Sequence, residues 1–157
     1  MLLLRFVAAF VAAALIHAHA AMAEPSTIGL PEVVDGETLR VGGKTFRLYG
    51  IDAPDIAQTC EIRGRTYNCG RVSMTALMDL VAGVKIRCAP RRNSPGTPAV
   101  AHCFAAGYDL SEGMVHTGWA LAMPRDGTKY ARIEARAKTA KRGLWKGKFT
   151  LPWEWRR

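Results

Sequence analysis

Four cysteines, Cys60, Cys69, Cys88 and Cys103, constrain this chain more than any other feature. If all are oxidised, the middle of the chain is stapled twice, and only folds that bring the paired positions within a few ångströms survive. Oxidation depends on compartment, because disulfides persist in exported proteins and are rare in the cytosol. The N-terminus addresses that question. Met1–Ala23 carries one positive charge at Arg5, an apolar run from Phe6 to Ile16, and the small-residue ending Ala21-Met22-Ala23. That layout predicts a secretory signal peptide cleaved after Ala23. The apolar run is short for a membrane span, and His17 and His19 break the region beyond it. A secreted or periplasmic location follows, and with it two disulfides. Of the three connectivities that four cysteines allow, the expected one is Cys60–Cys69, closing a local loop, with Cys88–Cys103 joining two arms of a hairpin. The spacing lacks a Cys-x-x-Cys pair, and His102 and His116 are not arranged with the cysteines as zinc ligands.

Cleavage after Ala23 would leave 134 of the 157 residues, enough for one compact domain and too few for two. The expected organisation is a signal peptide over 1–23, a flexible lead-in over 24–32, and one domain over 33–157. Losing Arg5 leaves 21 basic against 13 acidic residues, a net charge of +8. Such an excess favours polyanionic partners: nucleic acid, anionic lipid or acidic polysaccharide.

From Val33 the pattern is β-like. "EVVDGETLRV" and "KTFRLYGI" are short runs rich in β-branched and aromatic residues, separated by Gly42-Gly43, with Asp35-Gly36 a turn or bulge signal inside the first. "VKIRCA" and "AVAHCFA" form a second pair of strands around the loop "PRRNSPGTP". Three helices fit the rest. Cys69–Ala82 places Val72, Ala76, Leu77, Leu80 and Val81 on one face and stops at Gly83. Asp109–Thr117 opens with a capping Asp-x-x-Glu and ends at Gly118. Thr128–Arg142 turns Tyr130, Ile133, Ala137 and Ala140 inward, stops at Gly143, and carries Arg132, Arg136, Lys138, Lys141 and Arg142 on a solvated outer face. Strands followed by interleaved helices predict an α+β fold: a small antiparallel barrel packed by helices. Trp145, Trp153 and Trp155 are expected to clamp the C-terminus onto the core, and Tyr108 and Tyr130 to pack in it.

The stretch "VVDGETLRVGGKTFRLYGIDAPD" also gathers chemistry. A hairpin about Gly42-Gly43 would set Glu37 and Asp52 side by side, near the strand ends away from the turn, where two carboxylates can share a hard cation. Asp55 can project into the same cleft to orient or deprotonate a water, and Arg47 can grip a phosphate oxygen with its planar fork. These are the parts that in-line attack on a phosphodiester needs.

The same residues resemble the first hairpin of the staphylococcal nuclease (thermonuclease) family, whose pattern is Asp-Gly-Asp-Thr, a hairpin, then Arg-Leu-x-Gly-Ile-Asp-Ala/Thr-Pro-Glu. The similarity continues through Gln58, the helix ending near Gly83, "GYDLSEGMVHTGWA" and "YARIEARAKTAKRGLW". It implies an OB-type five-stranded barrel with three helices and a Ca²⁺-dependent nuclease site on the barrel face. By that resemblance Arg47 is the first phosphate arginine, Asp52 a calcium ligand, and Ala53 the donor of a backbone carbonyl to calcium. Glu37 stands where the family's other calcium ligand is usually Asp, and Asp55 where the family has the Glu that acts on water. The family's second arginine, in an Asp-x-Tyr-Gly-Arg motif before the fifth strand, falls on Pro98, and Gly96 stands where its tyrosine would lie over a base. Arg91 and Arg92, in the same loop, are the candidate substitutes. The resulting expectation is an exported monomeric phosphodiesterase that needs one Ca²⁺ and cleaves DNA or RNA at reduced rate. The alternatives are a degenerate domain that binds nucleic acid or a protein without cleavage, and an envelope protein whose charge contacts anionic surfaces.

Overall fold

The structure, a computed structural model, describes residues 25–92, 94, 96–126 and 128–157. The expected signal peptide lies outside the described residues. In chain order the elements are β1 (Thr27–Gly29), β2 (Pro31–Val33), β3 (Thr38–Val41), β4 (Lys44–Leu48), β5 (Ile51–Asp52), β6 (Thr59–Ile62), β7 (Arg65–Asn68), α1 (Cys69–Leu80), β8 (Ile86–Pro90), β9 (Ala99–Ala105), β10 (Tyr108–Asp109), α2 (Leu110–Thr117), β11 (Leu121–Ala122), α3 (Thr128–Thr139), a 3₁₀ turn (Gly143–Lys146) and α4 (Pro152–Trp155).

Period-two alternation builds the barrel wall. Leu39 and Val41 on β3, Phe46 and Leu48 on β4, and Ala101, Cys103 and Ala105 on β9 are buried, while Arg40 is exposed and Arg47 and His102 are only partly covered. The strands run in the order β1-β8-β9-β4-β3-β2. Because β1 and β2 are separated by Leu30 alone and pair with opposite ends of that path, the sheet closes on itself. The result is an OB-type barrel of five strands, with β1 and β2 acting as two halves of one bent strand. The expected flexible lead-in is therefore corrected: from Thr27 onward it is the closing strand, hard to read because Ile28 and Leu30 point outward, 63% and 65% exposed.

The barrel is also not purely antiparallel. β4 and β9 pair in parallel, Arg47 opposite Val100, as the intervening crossover through α1 and β8 permits. β5 leaves the barrel and pairs with β11, so the run ending at Ile51 is broken at Tyr49-Gly50.

Both disulfides form as expected. Cys88 and Cys103 face each other directly across β8 and β9, fully buried, and Cys60–Cys69 ties β6 to the start of α1. The Cys88–Cys103 link spans 15 residues, so the pair Cys88→Ala, Cys103→Ala is expected to lower stability by about 3 kcal/mol in urea denaturation.

Helix ends follow their caps. Asn68 accepts the Arg71 N–H at the start of α1, and Asp109 accepts the N–H groups of Ser111 and Glu112 before α2. On α1, Leu77 and the following Val81 are buried and Ala76 and Leu80 pack against the core as expected. Val72, however, is 37% exposed and Ser73 is buried instead, its hydroxyl donating to the Trp119 carbonyl at 2.7 Å. α3 ends at Thr139, leaving Ala140 exposed, while Tyr130 is buried with its hydroxyl donating to Asp109 Oδ2 at 2.9 Å. Tyr108, expected in the core, is 44% exposed. A second cluster of Cys60, Cys69, Leu121 and Leu144 receives Trp145 and Trp153. Trp155 stays 41% exposed, so two of the three expected tryptophans clamp the C-terminal segment.

Candidate active site

The acidic residues gather where three backbone segments meet. β2 and β3 are joined by a tight turn in which Asp35 Oδ1 accepts the N–H groups of Glu37 and Thr38, at 2.8 and 2.7 Å. That turn presses against α1 so closely that a Cβ on Gly36 would overlap the Ser73 hydroxyl and crowd Ala53. Gly36→Val is therefore expected to lower thermal stability by roughly 2–3 kcal/mol through overpacking, seen as a drop in Tm.

Thr38 lies directly opposite Arg47 in the β3–β4 ladder, which brings the neighbouring Glu37 to the arginine. Arg47 Nε donates to Glu37 Oε1 at 2.9 Å, and Glu37 Oε2 accepts the Ala53 N–H at 2.9 Å. Asp52, at the end of β5, is 1% exposed, with Arg47 Nη2 3.7 Å from its Oδ1. Asp55 caps the next turn, accepting the Ala57 N–H at 3.2 Å, while the buried Gln58 accepts the Asp55 N–H at 3.3 Å. Asp35, Glu37, Arg47, Ala53, Pro54, Asp55, Ile56 and Arg156 line one cleft of about 280 Å³. Glu37, Arg47, Asp52, Ala53 and Asp55 are thus brought together, although Glu37 sits in a turn and Asp52 on β5 rather than on two paired strands.

Arg156 has no counterpart in the sequence reasoning. It follows α4, and its Nη2 donates to both Asp52 oxygens at 2.6 Å. The contact joins positions 104 residues apart, and the only sequence signal was a pair of terminal arginines. Its placement depends on Gln58, whose Nε2 donates to the Thr150 carbonyl at 2.7 Å and so ties the Asp55 turn to the C-terminal segment.

Arg91 and Arg92 go elsewhere. They line a neighbouring cavity of about 260 Å³ that shares Arg47 with the acidic cleft. Arg91 stacks over the Tyr49 ring at 4.1 Å and lies 4.0 Å from Asp126. Pro98 is exposed just before β9. His102 packs against Tyr49, with ring centroids 4.5 Å apart, and His116 is exposed on α2.

Burial dominates the electrostatics of Glu37. It raises the carboxyl from 4.5 to about 7, Arg47 opposing the shift and Asp52 reinforcing it. A carboxyl with a raised folded pKa binds its proton more tightly in the fold, so its contribution favours folding at low pH and is lost as pH rises from 4.5 towards about 7. In chelator, the urea midpoint is expected to fall between about pH 5 and about pH 8 by more in this protein than in Glu37→Gln.

Among the described residues, no group of three or more His, Cys, Asp and Glu side chains converges to hold a metal. Two carboxylates do converge, Glu37 and the buried Asp52, and both already contact positive groups. A pair of carboxylates backed by main chain supplies oxygen donors only, which suits a hard cation and suits soft metals poorly.

A five-stranded OB-type barrel with carboxylates and an arginine on its face defines a nuclease-like domain. The chain belongs to the staphylococcal nuclease family: the family model "Staphylococcal nuclease homologue" matches residues 45–147. It is 34% identical over 140 residues to "Succinoglycan biosynthesis protein ExoI" of Rhizobium meliloti (strain 1021), covering 87% of this chain and 73% of that protein. It is 30% identical over 115 residues to "Probable staphylococcal-like nuclease CAN3" of Oryza sativa subsp. japonica, covering 71% of this chain and 28% of the rice protein. A second rice protein, "Probable staphylococcal-like nuclease CAN2", is 29% identical over the same length. No helix among the described residues is long and apolar enough to cross a membrane.

Proposed function

We propose that this protein is an exported, Ca²⁺-dependent phosphodiesterase that hydrolyses DNA or RNA, acting as a monomer in the periplasm or outside the cell. The observation that carries the proposal is the convergence of Arg47, Glu37 and the buried Asp52 on the face of a nuclease-family barrel. Glu37 and Asp52, with the Ala53 carbonyl, would hold the ion, which when bound would neutralise the non-bridging phosphate oxygens. Arg47 exchanges Glu37 for a phosphate oxygen and stabilises the charge that builds as water attacks. Asp55 orients that water and accepts its proton, with the Gln58 turn fixing its backbone. Ionised Glu37 is the form that can hold the ion, so protons compete with Ca²⁺ for it and binding weakens as pH falls. The two disulfides and the N-terminal apolar segment support export.

A second reading, binding without cleavage, is favoured by Pro98 in the place of the family's second arginine. One assay separates the two: release of fragments from heat-denatured DNA and from RNA, in Ca²⁺ and in chelator. Fragments in Ca²⁺ alone support the phosphodiesterase. Retention of intact polymer on the protein at low salt, without fragments, supports the binding module. A polysaccharide belongs in the same assay, given the name of the Rhizobium relative.

A further inference from the structure

The side chain of Arg156, from the segment after α4, reaches into the acidic cleft. Three carboxylates, Asp35, Glu37 and Asp55, line it together with two guanidinium groups, Arg47 and Arg156, and the buried Asp52 lies behind them in contact with both arginines. Arg47 is committed mainly to Glu37, so the buried Asp52 is held chiefly by Arg156. A carboxylate 1% exposed needs a positive partner, and one guanidinium nitrogen spanning both oxygens takes the space that an ion on Asp52 would use. Arg156 itself is 36% exposed and follows a helix of only four residues. It can return to water at little penalty, whereas Asp52 cannot. Its exit requires no change in the barrel, because Gln58 and Thr150 anchor the C-terminal segment upstream of α4.

We propose that Arg156 is a displaceable counter-cation of this site: it satisfies Asp52 in the ion-free protein and must leave before a divalent cation can bind there. The inference rests on the metal-binding role given above to Asp52. It makes Arg156 a determinant of ion affinity, and it leaves a freed guanidinium beside the cleft that lacks a second arginine from the β8–β9 loop.

The test is calorimetric titration of Ca²⁺ into the oxidised, secreted protein and into Arg156→Gln, Arg156→Lys and Arg157→Gln. Removing the competing charge-assisted contact is expected to tighten Ca²⁺ binding on the order of ten-fold in Arg156→Gln. Arg156→Lys falls between, since an ammonium competes as a point charge, and Arg157→Gln matches the unaltered protein. In chelator Arg156→Gln melts lower because Asp52 has lost its partner, and saturating Ca²⁺ raises its Tm by more than it raises that of the unaltered protein. If Arg156→Gln is too unstable to titrate, the Arg156→Lys comparison decides. Equal Ca²⁺ affinity in the unaltered protein and the Arg156 variants overturns the inference and leaves the metal role of Asp52 intact. Absence of Ca²⁺ binding in every folded protein overturns that metal role, and the inference with it.

Discussion

Arg47→Ala is expected to lower kcat/KM on denatured DNA by about a hundred- to a thousand-fold, while the protein stays folded. The size follows from what the side chain does. Its guanidinium is the charge nearest the acid pair that stands on a rigid strand, 2.9 Å from Glu37 and 3.7 Å from Asp52. A donor held in place before reaction stabilises developing charge without reorganisation, and a residue on the β3–β4 ladder is held in that way. Arg47→Lys should recover only part of the loss, because an ammonium lacks the planar fork. The folding penalty is small by comparison. Arg47 is 37% exposed, and Glu37 keeps its bond from the Ala53 N–H. Steady-state rates beside Tm check both halves: a lost rate with a retained Tm is the expected pair.

Asp52→Asn should be as damaging to rate and even more so to ion binding. The amide preserves shape and removes the charge, leaving Glu37 as the sole buried acid of the pair. Ca²⁺ affinity is expected to drop below detection and cleavage by about three orders of magnitude, equivalent to roughly 4 kcal/mol of transition-state stabilisation. Arg156 loses its ion pair but is exposed enough to be hydrated instead, so stability changes by about 1 kcal/mol or less. Calorimetry and cleavage on the same preparation separate this outcome from simple misfolding.

Much of this site was legible in the sequence because its parts are local. Asp35-Gly36 and Gly42-Gly43 mark turns, and the hairpin they frame carries Glu37 and Arg47 to one place. The cysteine pairing was legible for the same reason, since separations of 9 and 15 residues match a short loop and a hairpin. What escaped was non-local. The closing strand β1–β2 carries its larger side chains outward and alternates with Gly29 and Pro31, so it lacks the buried stripe that marks a strand. The departure of β5 towards β11 depends on a partner some 70 residues on, Leu121 against Asp52. Ser73 lies inward on α1 because a hydrogen bond across the core satisfies it, which apolar periodicity cannot register. Arg156 is the extreme case, since its target Asp52 lies on β5, 104 residues earlier in the chain. The loop arginines illustrate the converse. Arg91 and Arg92 are close in sequence to the lost motif, but Tyr49 draws Arg91 into the adjoining cavity.

The most direct measurement is cleavage of heat-denatured DNA by the oxidised protein in Ca²⁺ and in chelator, with Arg47→Ala alongside. Fragments are expected with Ca²⁺, none with chelator, and at least a hundred-fold fewer from Arg47→Ala. Cleavage that survives chelation or the Arg47 substitution would contradict the proposed function, as would intact DNA after prolonged incubation with folded, Ca²⁺-loaded protein.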